Sequence, residues 1–190
     1  MAAIKVDPDK VREFPDAESF HAWLAENHAG ESEVWIKVHK VGSGLASITP
    51  KEAIDVVLCF GWIDAVRKSL DDKSFLQRYT PRGRKSIWSK INIDNVARLI
   101  EAGRMTKHGL DQVEAAKADG RWAAAYEAQR DFTVPDDLRA ALHASPPAEQ
   151  AFDSAGRTQQ YAVVLAVVTA RTERTRSARI EKAVRDLVGR

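Results

Sequence analysis

Apolar residues recur at helical spacing early in the chain: Phe20, Trp23 and Leu24, after Pro15 and before Gly30, predict a first amphipathic helix. Val34, Ile36 and Val38 then alternate with Trp35, Lys37 and His39, the two-residue period of a strand, and Gly42-Ser43-Gly44 follows as a tight turn. Thr49-Pro50-Lys51-Glu52 offers an N-cap hydroxyl, a proline at the first helical position and a glutamate placed to close a capping box. A helix therefore starts there, carries Ile54, Val57 and Leu58 on its apolar face, and ends at Gly61. Trp62 to Ser69 alternates again, with Phe75 to Tyr79 as its hairpin partner across Leu70-Asp71-Asp72. In a regular strand Trp62, Asp64, Val66 and Lys68 point one way, and Ile63, Ala65, Arg67 and Ser69 the other.

From Asn92 the period is helical, with Ile93, Val96, Leu99 and Ile100 on one face and Gly103 suited to the position after the helix. Thr106 is placed to cap the next helix, which runs to Gly120, and another helical segment is expected around Trp122 and Tyr126 before Phe132-Thr133-Val134-Pro135 breaks it. The remainder reads as wholly helical. Pro135 and Pro146 suit first helical turns with Ser145 as N-cap of the second, and Ile180, Ala183, Val184 and Leu187 give the last helix its apolar stripe. The valines of Ala162 to Val168 favour a strand, but helical neighbours and polar flanks assign it to a buried helix. The fold class expected is α+β. A small, partly antiparallel sheet with packed helices fills residues 1–128, and an all-helical region, 129–190, packs on it or is appended to it.

Composition narrows this picture. A chain of 190 residues with 44% hydrophobic and 29% charged residues is long enough, and apolar enough, to bury its own core. Its single cysteine, Cys59, forms no internal disulfide and suits a reducing compartment, and burial as a small hydrophobe is the plain expectation for it. Charges interrupt the first 14 residues, so no secretion signal is expected, and the longest apolar run, Tyr161 to Val168, falls far short of the ~20 residues of a membrane helix. A cytoplasmic protein without membrane insertion is expected. A net charge of +2 implies no polyanion partner by itself, but between Asp72 and Asp94 there is no acidic residue while Lys73, Arg78, Arg82, Arg84, Lys85 and Lys90 all occur.

Most familiar catalytic signatures are missing: no Gly-x-Ser-x-Gly elbow, His-Glu-x-x-His, phosphate-binding Walker loop or Gly-x-Gly-x-x-Gly. His21, His28, His39, His108 and His143 show no metal-ligand spacing, so no metal and no cofactor is expected, and His21 and His28 are assigned to the surface. Asp64 is set in apolar company on its strand, where a carboxylate needs a positive or hydrogen-bonding partner or stays protonated. A salt bridge to Arg67 or to the basic segment, pinning the hairpin, is one use for it; general acid or base chemistry is another. In Thr80-Pro81-Arg82-Gly83-Arg84-Lys85-Ser86-Ile87-Trp88-Ser89-Lys90-Ile91-Asn92, arginine forks match phosphate or carboxylate, hydroxyls and an amide add neutral donors, and Trp88 either stacks on a ligand or plugs the core.

Leu58-Cys59-Phe60-Gly61-Trp62-Ile63-Asp64, Arg67-Lys68-Ser69-Leu70-Asp71, Gln77-Arg78-Tyr79-Thr80-Pro81-Arg82, Ser86-Ile87-Trp88-Ser89-Lys90-Ile91-Asn92 and Gly103-Arg104-Met105-Thr106 together resemble the YdeI/OmpD-associated, or bacteriocin-protection, family. The likeness is dense from about Phe20 to Trp122 and thinner in the tail, where such proteins often end in an arginine-rich helix pair like Arg171 to Leu187. It implies a link to tolerance of bacteriocins or cationic antimicrobial peptides and to a porin-associated phenotype, with no established biochemical activity. Three uses follow for the sequence. The first is a non-catalytic or regulatory module that binds a small anionic ligand through Arg67, Arg78, Thr80, Arg82, Ser86, Trp88, Ser89, Lys90 and Asn92. The second is nucleic-acid binding, with Arg78, Arg82, Arg84 and Lys85 on phosphates and Tyr79 or Trp88 stacking. The third is a small enzyme with Asp64 as its acid or base.

Overall fold

A computed structural model describes residues 5–189. The chain divides into two compact units, one made of residues 5–86 and 92–122, the other of 87–91 and 123–189.

The first unit holds a four-stranded mixed sheet. After a single 3-10 turn, Pro8–Lys10, capped by the Asp7 carboxylate, come β1 (Val11–Arg12), α1 (Ala17–Asn27), β2 (Val34–His39), α2 (Pro50–Cys59), β3 (Trp62–Ser69) and β4 (Ser74–Pro81). The strand order is β1-β2-β4-β3, with β1 parallel to β2 and the other two pairs antiparallel. The two-residue β1 is an element that the hydrophobic pattern did not foretell, because it is too short to show a period. Helices α3 (Lys90–Glu101) and α4 (Lys107–Ala118) follow.

Local chemistry sets these boundaries. Thr49 and Glu52 form a full capping box on α2 with Pro50 inside the first turn, so three separate preferences agree on one start. Asp16 and Thr106 accept from the third residue of α1 and α4 in the same way. α2 ends on Gly61, whose φ of +73° suits a residue without Cβ, and the Gly61 carbonyl then accepts the Arg82 amide at 3.0 Å.

The core of this unit lies between the helices and the face of the sheet that carries Val34, Ile36, Gln77 and Tyr79. Phe20 of α1 packs against Tyr79 with ring centres 5.9 Å apart, and Phe20, Leu24, Ile36, Val56, Val57, Leu99 and Tyr79 are wholly buried. α4 approaches α2 through Gly109: a Cβ there would stand 2.7 Å from the Leu58 carbonyl oxygen, and the Thr106 hydroxyl donates to the Cys59 carbonyl at 2.6 Å. Cys59 is buried with its thiol on the Asp55 carbonyl at 3.2 Å, and burial raises its pKa, which leaves it an inert space-filler.

In the second unit, α5 (Asp136–His143), α6 (Pro146–Asp153), α7 (Arg157–Val168) and α8 (Glu173–Val188) enclose a core of Leu138, Leu142, Phe152, Val164, Val167, Ile180 and Leu187. The valine-rich run 162–168 is helical, its branched residues divided between this core and half-exposed positions. Ser145 and Pro135 stand at N-cap positions, neither with a side-chain cap bond. The expected helix around Trp122 and Tyr126 is absent. Tyr126 is instead extended against Ser89, exchanging backbone hydrogen bonds with Trp88 and Lys90 at 3.1 and 2.9 Å, and this bridge to a distant segment outweighs local helical preference.

Gly109→Ala is expected to destabilise the protein by about 2 kcal/mol, because two helix backbones would have to separate to admit the methyl group. Urea unfolding of the variant beside Gly103→Ala, whose added Cβ meets nothing within 4 Å but whose φ of +63° penalises any side chain, separates crowding from backbone strain.

Candidate ligand site

The chemistry of the first unit gathers where β3 meets β4. Between Asp64 and Arg67 the register slips: Asp64 stands opposite Tyr79, yet Arg67, three residues on, stands opposite Gln77, only two residues away on β4. β3 thus carries one extra residue, a β-bulge at Ala65-Val66. Directly opposed residues share a face, and Tyr79 and Gln77 share theirs, so the bulge turns Arg67 onto the same side as Asp64. Strict alternation had put these two on opposite faces. It failed because the period is two only while no residue is inserted.

Arg67 is held in place. Its guanidinium lies over the Phe75 ring, 4.3 Å from the centroid, and its Nε donates to Gln77 Oε1 at 3.0 Å. Gln77 is buried, its amide nitrogen near the Val66 and Arg78 carbonyls at 3.5 and 3.4 Å. These contacts occupy one ring face and the inner nitrogen of an exposed arginine, and its two terminal nitrogens meet no acceptor among the described residues. Asp64 is exposed beside it and makes no salt bridge among the described residues, so the expected ion pair pinning the hairpin does not form.

Nor is Asp64 in apolar company, since its side chain reaches solvent. The protein mass around it still raises its pKa above the usual carboxylate range. The carboxyl's own backbone amide, Arg82 and Arg67 pull the other way without cancelling that effect. Tyr79, wholly buried, has its phenol pushed strongly upward by burial and by the Asp64 charge, and its hydroxyl has no hydrogen-bond partner among the described residues.

The other residues expected in a single site are distributed elsewhere. Arg78 and Thr80 lie on the opposite face of β4, where Arg78 pairs with Glu33 and reaches over Trp35 at 6.0 Å. Arg82 is buried at 5% exposure, next to Asp64 in charge but not exposed as a binding fork. The Ser86 hydroxyl accepts the Gly83 amide at 3.0 Å, and its carbonyl accepts from the buried Arg121 at 3.2 Å, while Asp119 holds Arg121 at 2.7 Å. Trp88 and Ser89 are buried and Lys90 pairs with Glu127, all three within the second unit. Asn92 is half-buried in α3.

Phe75 and Gln77 are the site residues that sequence reasoning missed, and Tyr79, expected there only to stack on a nucleic acid, is buried. Their alternation on β4 was visible, but the partners across from them depend on register.

His21 and His28 are not surface residues in the simple sense expected. The His28 Nδ1–H donates to the Leu24 carbonyl oxygen, 2.9 Å away, its Nε2 is buried without a partner among the described residues, and its ring lies 4.0 Å from that of His108 and 5.4 Å from Phe60. His21 packs edge-on against the same Phe60. Among the described residues no group of three or more histidine, cysteine or acidic side chains is arranged to hold a metal, and no helix is long and apolar enough to cross a membrane.

Residues 12–112, the segment that contains this site, match the model of a family described as a domain of unknown function, DUF8412. The match covers more than half of the chain. The chain belongs to this family. Residues 131–188 match a second model, described as bacteriocin-protection, YdeI or OmpD-associated. The family that the sequence resembles thus has a partial match in the chain, on α5 to α8, while the motifs from Leu58 to Thr106 that carry the resemblance lie in the DUF8412 segment. No curated protein and no solved structure matches the chain.

Two substitutions probe this geometry. Because the folded state holds the Asp64 proton more tightly than the unfolded state, stability falls as pH rises from below the ordinary value of 3.8 through the raised value. Asp64→Asn is therefore expected to be the more stable protein at pH 7, with the gap closing below about pH 4, in melting curves taken across that range. Tyr79→Phe removes a buried hydroxyl that lacks a partner and is expected to gain about 1 kcal/mol in denaturant titration.

Proposed function

We propose that the DUF8412 unit is a non-catalytic binding module that takes a small ligand through an oxyanion, carboxylate or phosphate, seated on Arg67. The observation that carries this reading is the fixed pose of Arg67: stacked on Phe75 and tied to Gln77, it presents its terminal nitrogens without having to give up side-chain entropy when a ligand arrives. A guanidinium prepared in this way matches the two oxygens of a carboxylate or phosphate. The ligand-dependent state of this unit would supply the regulatory role, and the connection to bacteriocin protection comes with the family description of residues 131–188.

Nucleic-acid binding is less well supported. Single-strand binding needs exposed aromatic faces, whereas Tyr79 is 0% and Trp88 2% exposed, and Arg78 is occupied with Glu33 on the other face of β4.

A thermal-shift screen of carboxylated and phosphorylated metabolites, with inorganic phosphate as the simplest probe, tests the proposal. A ligand at a hundred times its Kd is expected to add about 2.7 kcal/mol of stability, lost in Arg67→Ala and weakened in Arg67→Lys, which keeps the charge but not the fork. Arg84→Ala and Lys85→Ala, which alter the exposed basic loop, should leave the shift intact. Stabilisation that survives Arg67→Ala, or that depends on the loop, overturns the assignment.

A further inference from the structure

The same bulge that frees Arg67 sets a carboxylate beside it, and the two do not neutralise each other. Asp64 and Arg67 face the same way opposite Tyr79 and Gln77, neighbours on one strand face about 7 Å apart along β4. An exposed acid and an exposed base at that spacing would ordinarily be expected to meet as an ion pair. Here they do not, because Arg67 is drawn along the sheet toward Phe75 and Gln77, away from Asp64. Neither charge has another partner of opposite sign among the described residues: the cations that act on Asp64 are Arg82 and Arg67, at longer range than a salt bridge.

A held arginine and an exposed carboxylate beside it, opposite in charge and not paired with each other, form a template for a ligand with the complementary pair. A ligand carrying only an oxyanion would satisfy Arg67 but bring a second negative charge up to Asp64. A ligand that carries in addition a positively charged hydrogen-bond donor would satisfy both and turn that repulsion into attraction.

We propose that the Asp64–Arg67 pair selects a bifunctional, zwitterionic ligand, its oxyanion on the Arg67 guanidinium and its ammonium on the Asp64 carboxylate. This rests on the reading of Arg67 as the oxyanion seat and adds to it the class of molecule that the seat accepts. The ligand is small. Its two charged groups are separated by a few bonds, since Asp64 and Arg67 occupy neighbouring positions on one strand face. Carboxylate and phosphate esters satisfy Arg67 alike, so an amino acid and an aminoalkyl phosphate share the chemistry required.

The test compares matched pairs on the full-length chain by isothermal titration: β-alanine against propionate, and phosphoethanolamine against ethyl phosphate. The wild type is expected to bind the zwitterion of at least one pair about tenfold more tightly than its anion, in keeping with one additional charge-assisted hydrogen bond. Asp64→Asn, which keeps the shape and exposed position, should reduce that preference to about twofold or less while Arg67→Ala removes binding of both members. Whichever pair shows the preference tells a carboxylate ligand from a phosphate one. Equal, Arg67-dependent binding of zwitterion and anion overturns the bifunctional ligand and leaves the oxyanion seat standing. A preference that persists in Asp64→Asn overturns the role of Asp64. Absence of Arg67-dependent binding in both pairs overturns this inference together with the reading beneath it. Circular dichroism and melting of each variant establish that a lost signal is lost binding rather than lost fold.

Discussion

The pairing of β3 with β4, and the single extra residue within it, is the constraint on which the functional part of this protein depends. A bulge costs one rung of the ladder, and in exchange it changes which side chains share a face. Without it, β3 would offer an acid on one side and a base on the other. With it, both stand over the Tyr79–Gln77 side, and Gln77, opposite Arg67, together with Phe75, opposite Ser69, holds the arginine steady. The site is thus a property of two strands in register, flanked by Phe20 packed on Tyr79 and by the buried β2 residues across from β4.

The electrostatics follow from the same placement. Asp64 feels the bulk of the protein as a loss of solvation and feels Arg82 and Arg67 as distant attractions, and the first effect wins. Tyr79 feels the loss of water more strongly because it is wholly enclosed. Charge in the basic segment is spent differently from what its composition suggests. Arg78 stabilises Glu33 on the far face, Arg82 is taken into the interior, and Lys90 pairs with Glu127, which leaves Lys73, Arg84 and Lys85 as exposed members with no salt bridge among the described residues. A run of like charge along a sequence need not be a patch in space when consecutive strand residues point to opposite faces.

The two family matches divide the chain in a way that its chemistry also respects. The DUF8412 segment holds the sheet and the Asp64–Arg67 pair, and the segment matched by the bacteriocin-protection model is a helical unit with its own apolar core. The motifs from Leu58 to Thr106 that resemble the second family lie in the first segment.

Much of this protein was determined by sequence alone where the cause was local. The start of α2 at Thr49, the strand from Trp62 to Ser69, the turn at Gly61, the helix through Ala162 to Val168 and the all-helical end of the chain each follow from caps, glycine, proline or periodicity within a few residues. The α+β class follows from their order. Tertiary structure alone decided three things: the pairing of Tyr126 with Ser89 in place of a helix, the two-residue β1, and the bulge that puts Arg67 beside Asp64. Each depends on the register of pairing with another segment of the chain. Side-chain direction along a strand is a running count from the last point of register, and one inserted residue, invisible until the partner is known, reverses every face beyond it.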